Sequence, residues 1–565
     1  MKRKTVMTSN IIAIAAALSG CGGVSESPNQ ASTGADLVVN NATIYTVNNA
    51  SPLAQSMAIK NGKIIYVGDN ESVNEFIGDN TEIKDLAGNL VLPGLHDVHI
   101  HPLESASEAT HFTLPEYAYI NEYQAVIENA SIQHSDAKWL IGYGHNIDGL
   151  LELTQSPRAA IDQVVNDRPV IIMEQTSHSM WVNSKALSIA NITQQSRDPI
   201  GGVFGRDESD VLNGILYDNA GNLVMDLAMQ SQGDEATENY FGFLEYTQPE
   251  LLKHGVTSIS DARVYWQRGQ LDTWLKLAND DALKMRVSLG LWAYPEASDE
   301  SQLAKLKSLY QASQDSLLKV DQVKVYMDGI LVNTTAALKA PYEYSWLALD
   351  GDKGLNYFTQ ARLAKYIEVL EPIGFDFNIH GIGDRGIHEA LNAIEAGSKG
   401  IGRHRITHLE VVDSLDLPRF KELSVIADAQ VAGEFTEPHH WPEMTPLLGH
   451  QRSDRLVPIA SLVEQGAMLT LSSDWNVSTL NPFVGIAHAV SRAPEAISIE
   501  QAIEAYTINA AYAMRQEDRV GSLVAGKEAD FIVLDRNILT LDAAQIKQTR
   551  VLQSYVQGEV VFTAK

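Results

Sequence analysis

The stretch Leu90-Val-Leu-Pro-Gly-Leu-His-Asp-Val-His-Ile-His101 is an apolar, strand-like run that ends in two histidines two residues apart. Side chains alternate along a strand with period two, so His99 and His101 face the same side. Two imidazoles on one face can grip one metal ion. Pro93-Gly94 comes just before the pair and Asp97 sits beside it.

Working outward, seven more apolar runs resemble this one: 256–261, 285–292, 323–328, 375–380, 405–410, 425–430 and 468–474. Helical stretches at 300–312, 361–370 and 387–396 lie between several of them. Strands alternating with helices argue for a parallel sheet. Eight of them fit an α/β fold of the (β/α)8 TIM-barrel type. The gap from 102 to about 254 is too long for one βα unit, so it holds an inserted subdomain, a lid or wall over the site. A barrel puts its active residues at the C-terminal ends of strands. His101, Asp261, Asp328, His380, His408 and Asp474 all fall there.

The chain ends have a different texture. Segments 36–47 and 56–67 are short and β-rich, the second folded on Asn61-Gly62, a hairpin signal. Segments 530–535 and 551–563 repeat the pattern, with Gly558 at a tight turn. The two ends are expected to form one small β-sandwich from 36–91 and 519–565, around a barrel domain of 92–518.

With 42 Lys+Arg against 71 Asp+Glu the net charge is −29, a surface that repels phosphate backbones and excludes nucleic acid as a partner. Cys21 is the single cysteine, so no intrachain disulfide forms. Lys2, Arg3 and Lys4 precede a short apolar run at 11–18 and then Leu18-Ser-Gly-Cys21. This reads as a signal peptide over 1–20 whose ending is similar to a bacterial lipobox. Cys21 would carry a lipid, and 21–35 would be a flexible tether. The expected location is the periplasmic side, anchored to the outer membrane, with membrane contact through that lipid alone. No sequence feature sets an oligomeric state.

Lys324, inside the apolar Val323-Lys-Val-Tyr-Met-Asp328, stands out. A lysine within a barrel strand carries a large desolvation cost unless paired or neutralised. It is either a snorkelling or ion-paired lysine, with Asp328 as a candidate partner, or an amine carboxylated by carbon dioxide and able to bridge two metals. His380 and His408 each end a separate strand, and Asp474 ends the last one, where a carboxylate can bind metal and take a proton from water.

Taken in order, the HxH pair, the strand-four lysine, the two single histidines and the final aspartate resemble the amidohydrolase superfamily. Gly255-Val-Thr-Ser-Ile-Ser-Asp261, His380-Gly-Ile-Gly-Asp-Arg385, His404-Arg-Ile-Thr-His408 and Gly521-Ser-Leu-Val-Ala-Gly-Lys-Glu-Ala-Asp530 are similar to its branch containing N-substituted formamide deformylases. The resemblance implies two divalent ions, zinc on prevalence. His99, His101 and Asp474 would hold the more buried ion and His380 and His408 the second, with N6-carboxylated Lys324 bridging. It implies hydrolysis of an amide-like, non-peptide C–N bond of a small molecule by a metal-activated hydroxide, with Asp474 moving the proton. Hydrolysis of a C–O bond in an ester or lactone is the alternative, followed by a non-catalytic binding or regulatory lipoprotein. Departures from the common pattern are His96, Asp218 and Val431. His178, in Gln175-Thr-Ser-His-Ser-Met-Trp181, is expected to contact substrate. His145 is a weaker candidate, and His439 and His440 lie where they could line the pocket.

Overall fold

Each of the eight apolar runs overlaps a strand of one parallel sheet, although the second strand runs on to Val264 and the fourth begins at Leu318. The computed structural model describes residues 34–565 except 109, 110, 116, 233, 234, 315 and 348, so Cys21 and the segment around it lie outside the described residues. In chain order the sheet comprises β1 (Leu95–Ile100), β2 (Val256–Val264), β3 (Arg286–Trp292), β4 (Leu318–Tyr326), β5 (Asp376–Gly381), β6 (Arg405–His408), β7 (Ile426–Ala429) and β8 (Leu469–Leu471). Neighbours in sequence are neighbours in space, from β1 through to β8. The seam between β8 and β1 closes just beyond the short last strand. There Asp474 N–H donates to His99 O (2.8 Å) and His101 N–H donates to Trp475 O (2.7 Å).

Strands of this kind are buried on both faces, which is why they read as continuous apolar runs rather than alternating ones. Helices Asp299–Leu309, Gln360–Leu370 and Asp384–Gly397 follow β3, β4 and β5, close to the expected spans.

The opening run divides in two. Leu90–Pro93 pairs antiparallel with Phe531–Leu534 in the terminal domain, and only Leu95–Ile100 enters the barrel. Gly94 is thus the residue at which the chain passes from the terminal sheet to the barrel sheet. A Cβ on Gly94 would lie 2.2 Å from Thr257 Oγ1, so the chain passes between the two sheets at a point that only glycine fits. The terminal domain stacks a six-stranded sheet containing strands from both chain ends on a four-stranded one. Ile44, Met57, Ile59, Val91, Phe531 and Tyr555 share its core. Asn61-Gly62 and Gln557-Gly558 both turn through positive φ, as tight hairpins require. At the base of the barrel Arg286 pairs with Asp530 (2.8 Å) and Glu528, tying β3 to the terminal domain.

The insertion contains a sheet of its own. Its six strands run in the order Gly202–Arg206, Leu212–Asp218, Ser179–Val182, Val170–Glu174, Leu140–His145 and Phe112–Thr113. Alternate residues fill two separate cores. Val170, Ile172 and Ile215 pack on one face, and Ile171, Met173 and Leu216 on the other. Among the described residues no helix is long and apolar enough to cross a membrane.

Candidate metal centre

Six of the seven sequence-predicted site residues converge at the C-terminal mouth of the barrel, and the seventh reaches it from the insertion. The ligand atoms of His99, His101 and Asp474 lie within 4.8 Å of one another. Asp474 Oδ1 is 3.0 Å from His101 Nε2 and 3.3 Å from His99 Nε2. The Lys324 amine is 3.2 Å from His99 Nε2. The His408 ring lies 4.9 Å from that of His99 and 4.4 Å from that of His380, and its Nδ1 is 3.9 Å from Asp474 Oδ2.

Hydrogen bonds beneath the site fix the His99 tautomer. Thr407 Oγ1 donates to Asp428 Oδ2 (2.7 Å) and accepts from Gln430 Nε2 (3.0 Å). Having spent its one proton, the hydroxyl can only accept from His99 Nδ1, 2.8 Å away. Nδ1 therefore carries the hydrogen, and the Nε2 lone pair points toward Asp474. Asp428 is itself held by the hydroxyls of Thr470 (2.8 Å) and Ser472 (3.0 Å). This outer layer orients the ring as second partners of metal-binding histidines do. His380 follows the same logic from the other side. Its Nε2 donates to Gly329 O (3.1 Å), which leaves Nδ1 as the free acceptor.

The residues fit a bound cation. A His99 lone pair and a carboxylate oxygen facing each other at 3.3 Å are two acceptors with no proton between them. His101 Nδ1, His380 Nδ1, His408 Nε2 and Asp474 Oδ1 are buried and have no hydrogen-bond partner among the described residues. Unsatisfied buried polar atoms are costly, and a divalent ion satisfies several at once. Burial, reinforced by Lys324 and His408, holds the His99 pKa well below its ordinary value. Burial also lowers His101 and His380 and takes His408 down to about 3. Neutral imidazole is the metal-binding form. Burial pushes the Asp474 carboxyl up, but the adjoining His101, His408 and Lys324 outweigh it and hold the carboxyl below its ordinary value.

Burial drives the Lys324 amine toward its neutral form, only partly opposed by Asp474. The pairing with Asp328 does not form. That carboxylate accepts from the N–H groups of Ala337 (2.8 Å), Gly383 (2.8 Å) and Ile382 (3.1 Å), and so braces the loops after β4 and β5. Asp261 is also structural, accepting from Trp274 Nε1 (2.8 Å), because β2 continues past it to Val264.

A cavity of about 670 Å³ opens over the centre, lined among others by His178, His380, His408 and Asp474. His178 stacks on Tyr326 at 5.4 Å and lies 5.1 Å from the His380 ring. Its Nδ1 donates to Asp218 (2.8 Å), which also accepts from Tyr357 OH (3.0 Å). Asp218, one of the departures noted in the sequence, is thus the residue that orients His178. His96 lies at the far end of β1, bonded to Gly94 O (3.1 Å) and held neutral by burial, with its pKa near 3. Val431 is buried in the core. His145 is buried near Ser179 (3.3 Å) and does not line the cavity. His440 lines it and pairs with Glu443 (2.9 Å), whereas His439 is largely exposed.

Several polar residues of the site escaped sequence reading. Glu410 and Glu174 line the cavity, and Thr407, Asp428 and Gln430 build the layer under His99. Burial pushes the Glu410 carboxyl up to about 7, with Asp474 adding to the shift. His408 and Leu409 have φ of 76° and 55°, so the period-two rule fails between His408 and Glu410. Thr407 and Asp428 pair across adjacent strands and carry no local signal.

Comparison with known proteins agrees with this geometry. Residues 82–562 match the model of the amidohydrolase family. Protein LONG AFTER FAR-RED 3 of Arabidopsis thaliana is 30% identical over 555 residues, covering 94% of this chain and 92% of that protein. The N-substituted formamide deformylase of Arthrobacter pascens is 24% identical over 542 residues, covering 93% and 97%. A solved structure titled as an uncharacterized metal-dependent hydrolase from Pyrococcus horikoshii OT3 superposes with a TM-score of 0.71 at 25% identity, over 90% of this chain and 99% of that one. The family match takes in all eight barrel strands, the inserted sheet and the histidine-bearing strand ends, and the chain belongs to the amidohydrolase family.

Proposed function

We propose that the cavity hydrolyses an amide-like, non-peptide C–N bond of a small molecule. The observation that carries this is the set of neutral imidazoles and one ionised aspartate whose free acceptor atoms converge at the barrel mouth. In this reading His99, His101 and Asp474 would hold one divalent ion, and His380, His408 and Lys324 would complete the donor set for a second. Nitrogen and oxygen donors of this kind suit zinc. Ions held there supply Lewis acidity, lowering the pKa of a water in contact with them and polarising a substrate carbonyl.

The chain's own residues do the rest. Carboxylation of Lys324 forms a bond between Nζ and the carbon of carbon dioxide and releases one proton. Burial shifts the amine toward its neutral form, which is the form able to react. Asp474 stays ionised and so can accept a proton from the attacking water and return it to the leaving nitrogen. That return is required because an unprotonated amide nitrogen is a poor leaving group. His178, with Nδ1 fixed by Asp218, presents its other nitrogen for a substrate contact. The name of the Arthrobacter relative, an N-substituted formamide deformylase, supports a formamide-type substrate.

A panel of N-formyl and N-acyl amines, each paired with its oxygen-ester isostere, tests the bond class. Metal-replete protein is expected to release amine from at least one member. Cleavage of esters or lactones alone, with every amide inert, would assign the C–O alternative instead.

A further inference from the structure

Beneath the metal centre the barrel interior is polar, where bulky branched residues usually fill such a layer. Arg405, on β6, is fully buried there. Its Nη2 reaches across to other strands, donating to Val98 O (2.7 Å), Gln322 Oε1 (2.8 Å) and Ser260 Oγ (3.0 Å). Ser260 Oγ also donates to Gln322 Oε1 (2.7 Å), so side chains of β2, β4 and β6 meet inside the barrel. The other two guanidinium nitrogens, Nε and Nη1, are buried and have no hydrogen-bond partner among the described residues.

An arginine keeps its charge in a protein, and a buried charge is costly without a counter-charge. Among the described residues no carboxylate forms an ion pair with Arg405. Asp428, Asp376 and Asp321 are near enough to feel its charge. Asp428 is taken up by the hydroxyls of Thr407, Thr470 and Ser472, and Asp376 pairs with Arg515 (2.6 Å). Burial pushes the Asp321 carboxyl up to about 7, so near neutral pH it offers less than a full counter-charge.

The surroundings of Arg405 repeat the demand. Asn378 is its register partner on β5 and is fully buried, yet neither Nδ2 nor Oδ1 has a partner. Gln322 Nε2 and Ser258 Oγ are also buried and unpartnered. Guanidinium and amide nitrogens only donate, so whatever meets them must accept. A water accepts but leaves the charge uncompensated, whereas a small anion meets both needs. There is room for one. Ser258 and Ser260 share one face of β2, with Ser288 beside Ser260 on β3, and serine is smaller than the branched residues usual in such a layer.

We infer that the barrel interior beneath the metal centre binds a small monovalent anion of the chloride type, between the Arg405 guanidinium and the side-chain amides of Asn378 and Gln322. The site shares no residue with the metal ligands and stands whatever reaction the cavity performs.

Anomalous diffraction from crystals of the metal-loaded protein reads the site directly. Crystals grown in bromide are measured on both sides of the bromine edge, and crystals grown in chloride at long wavelength. A peak within hydrogen-bond reach of Arg405 Nε or Nη1 and Asn378 Nδ2 is expected in at least one of the two. Asn378→Asp puts a fixed carboxylate beside Arg405 in nearly the same volume, and is expected to expel the anion and abolish the peak. Thermal melting gives a second reading. Replacing methanesulfonate by chloride at equal ionic strength is expected to raise the parent melting temperature by about 2 °C or more, because a ligand of the folded state alone stabilises it. The same exchange should move Asn378→Asp by less than half as much, and surface salt effects cancel in that comparison. Ordered water only, with no anomalous signal in either halide, would overturn the inference. So would a peak of undiminished height in Asn378→Asp, or an equal response of the two proteins to chloride. If the variant fails to fold, the parent maps decide alone.

Discussion

Asp474→Asn is expected to lower kcat by roughly 10²- to 10⁴-fold, the range that one positioned acid–base group contributes, while the protein keeps its fold and most of its metal. Asparagine preserves the shape of the side chain and one oxygen able to bind a cation. It cannot take a proton from water or return one to nitrogen. The backbone tolerates the change, since residue 474 has a φ of 55° and asparagine is among the few residues that occupy this region readily. The N–H of residue 474 also still closes the barrel seam to His99 O at 2.8 Å. A melting temperature close to that of the parent, together with the loss of turnover, would place the effect on the proton. Turnover within about threefold of the parent would remove Asp474 from the role that general acid–base catalysis demands.

The second large effect concerns Lys324. Lys324→Met keeps the length and apolar stem of the side chain and removes the nitrogen. The position is fully buried within β4, so methionine should pack there without unfolding the barrel. Turnover is expected to fall by more than about 10²-fold, beyond the 10- to 100-fold typical of residues that only support metal ligands. Intact-mass measurement of the native parent protein at controlled carbon dioxide should show one added carbon dioxide that the variant lacks. A variant that retains parental turnover would show that Lys324 is a buried amine held by His99 and Asp474, with no part in a bridge.

The barrel was legible because its strands are covered on both faces and so read as long apolar runs. Their polar ends then stand out, which is how His99, His101, His380, His408, Lys324 and Asp474 are found without coordinates. The same rule overshoots at Asp261 and Asp328, whose carboxylates satisfy Trp274 and three backbone N–H groups. Strand-end position identifies candidates, and the partner of each carboxylate separates them. Glu410 was hidden for the opposite reason, since two left-handed residues interrupt the alternation that would have aligned it with His408. The layer of Thr407, Asp428, Gln430 and Ser472 depends on register between β6, β7 and the end of β8, which is a tertiary property. The six-stranded sheet of the insertion mixes parallel and antiparallel neighbours, so its pairing could not be read from periodicity.

The central claim is that the strand ends form a centre for divalent metal, and elemental analysis of freshly purified, exhaustively dialysed protein tests it most directly. The donor set of His99, His101 and Asp474, joined by His380, His408 and Lys324, predicts about two equivalents of a divalent transition metal per chain, zinc foremost. The content should drop by about half or more in His380→Ala, because one of the two sites loses a ligand. Protein that contains no such metal, and takes up none when zinc, manganese or iron is offered, would contradict the account.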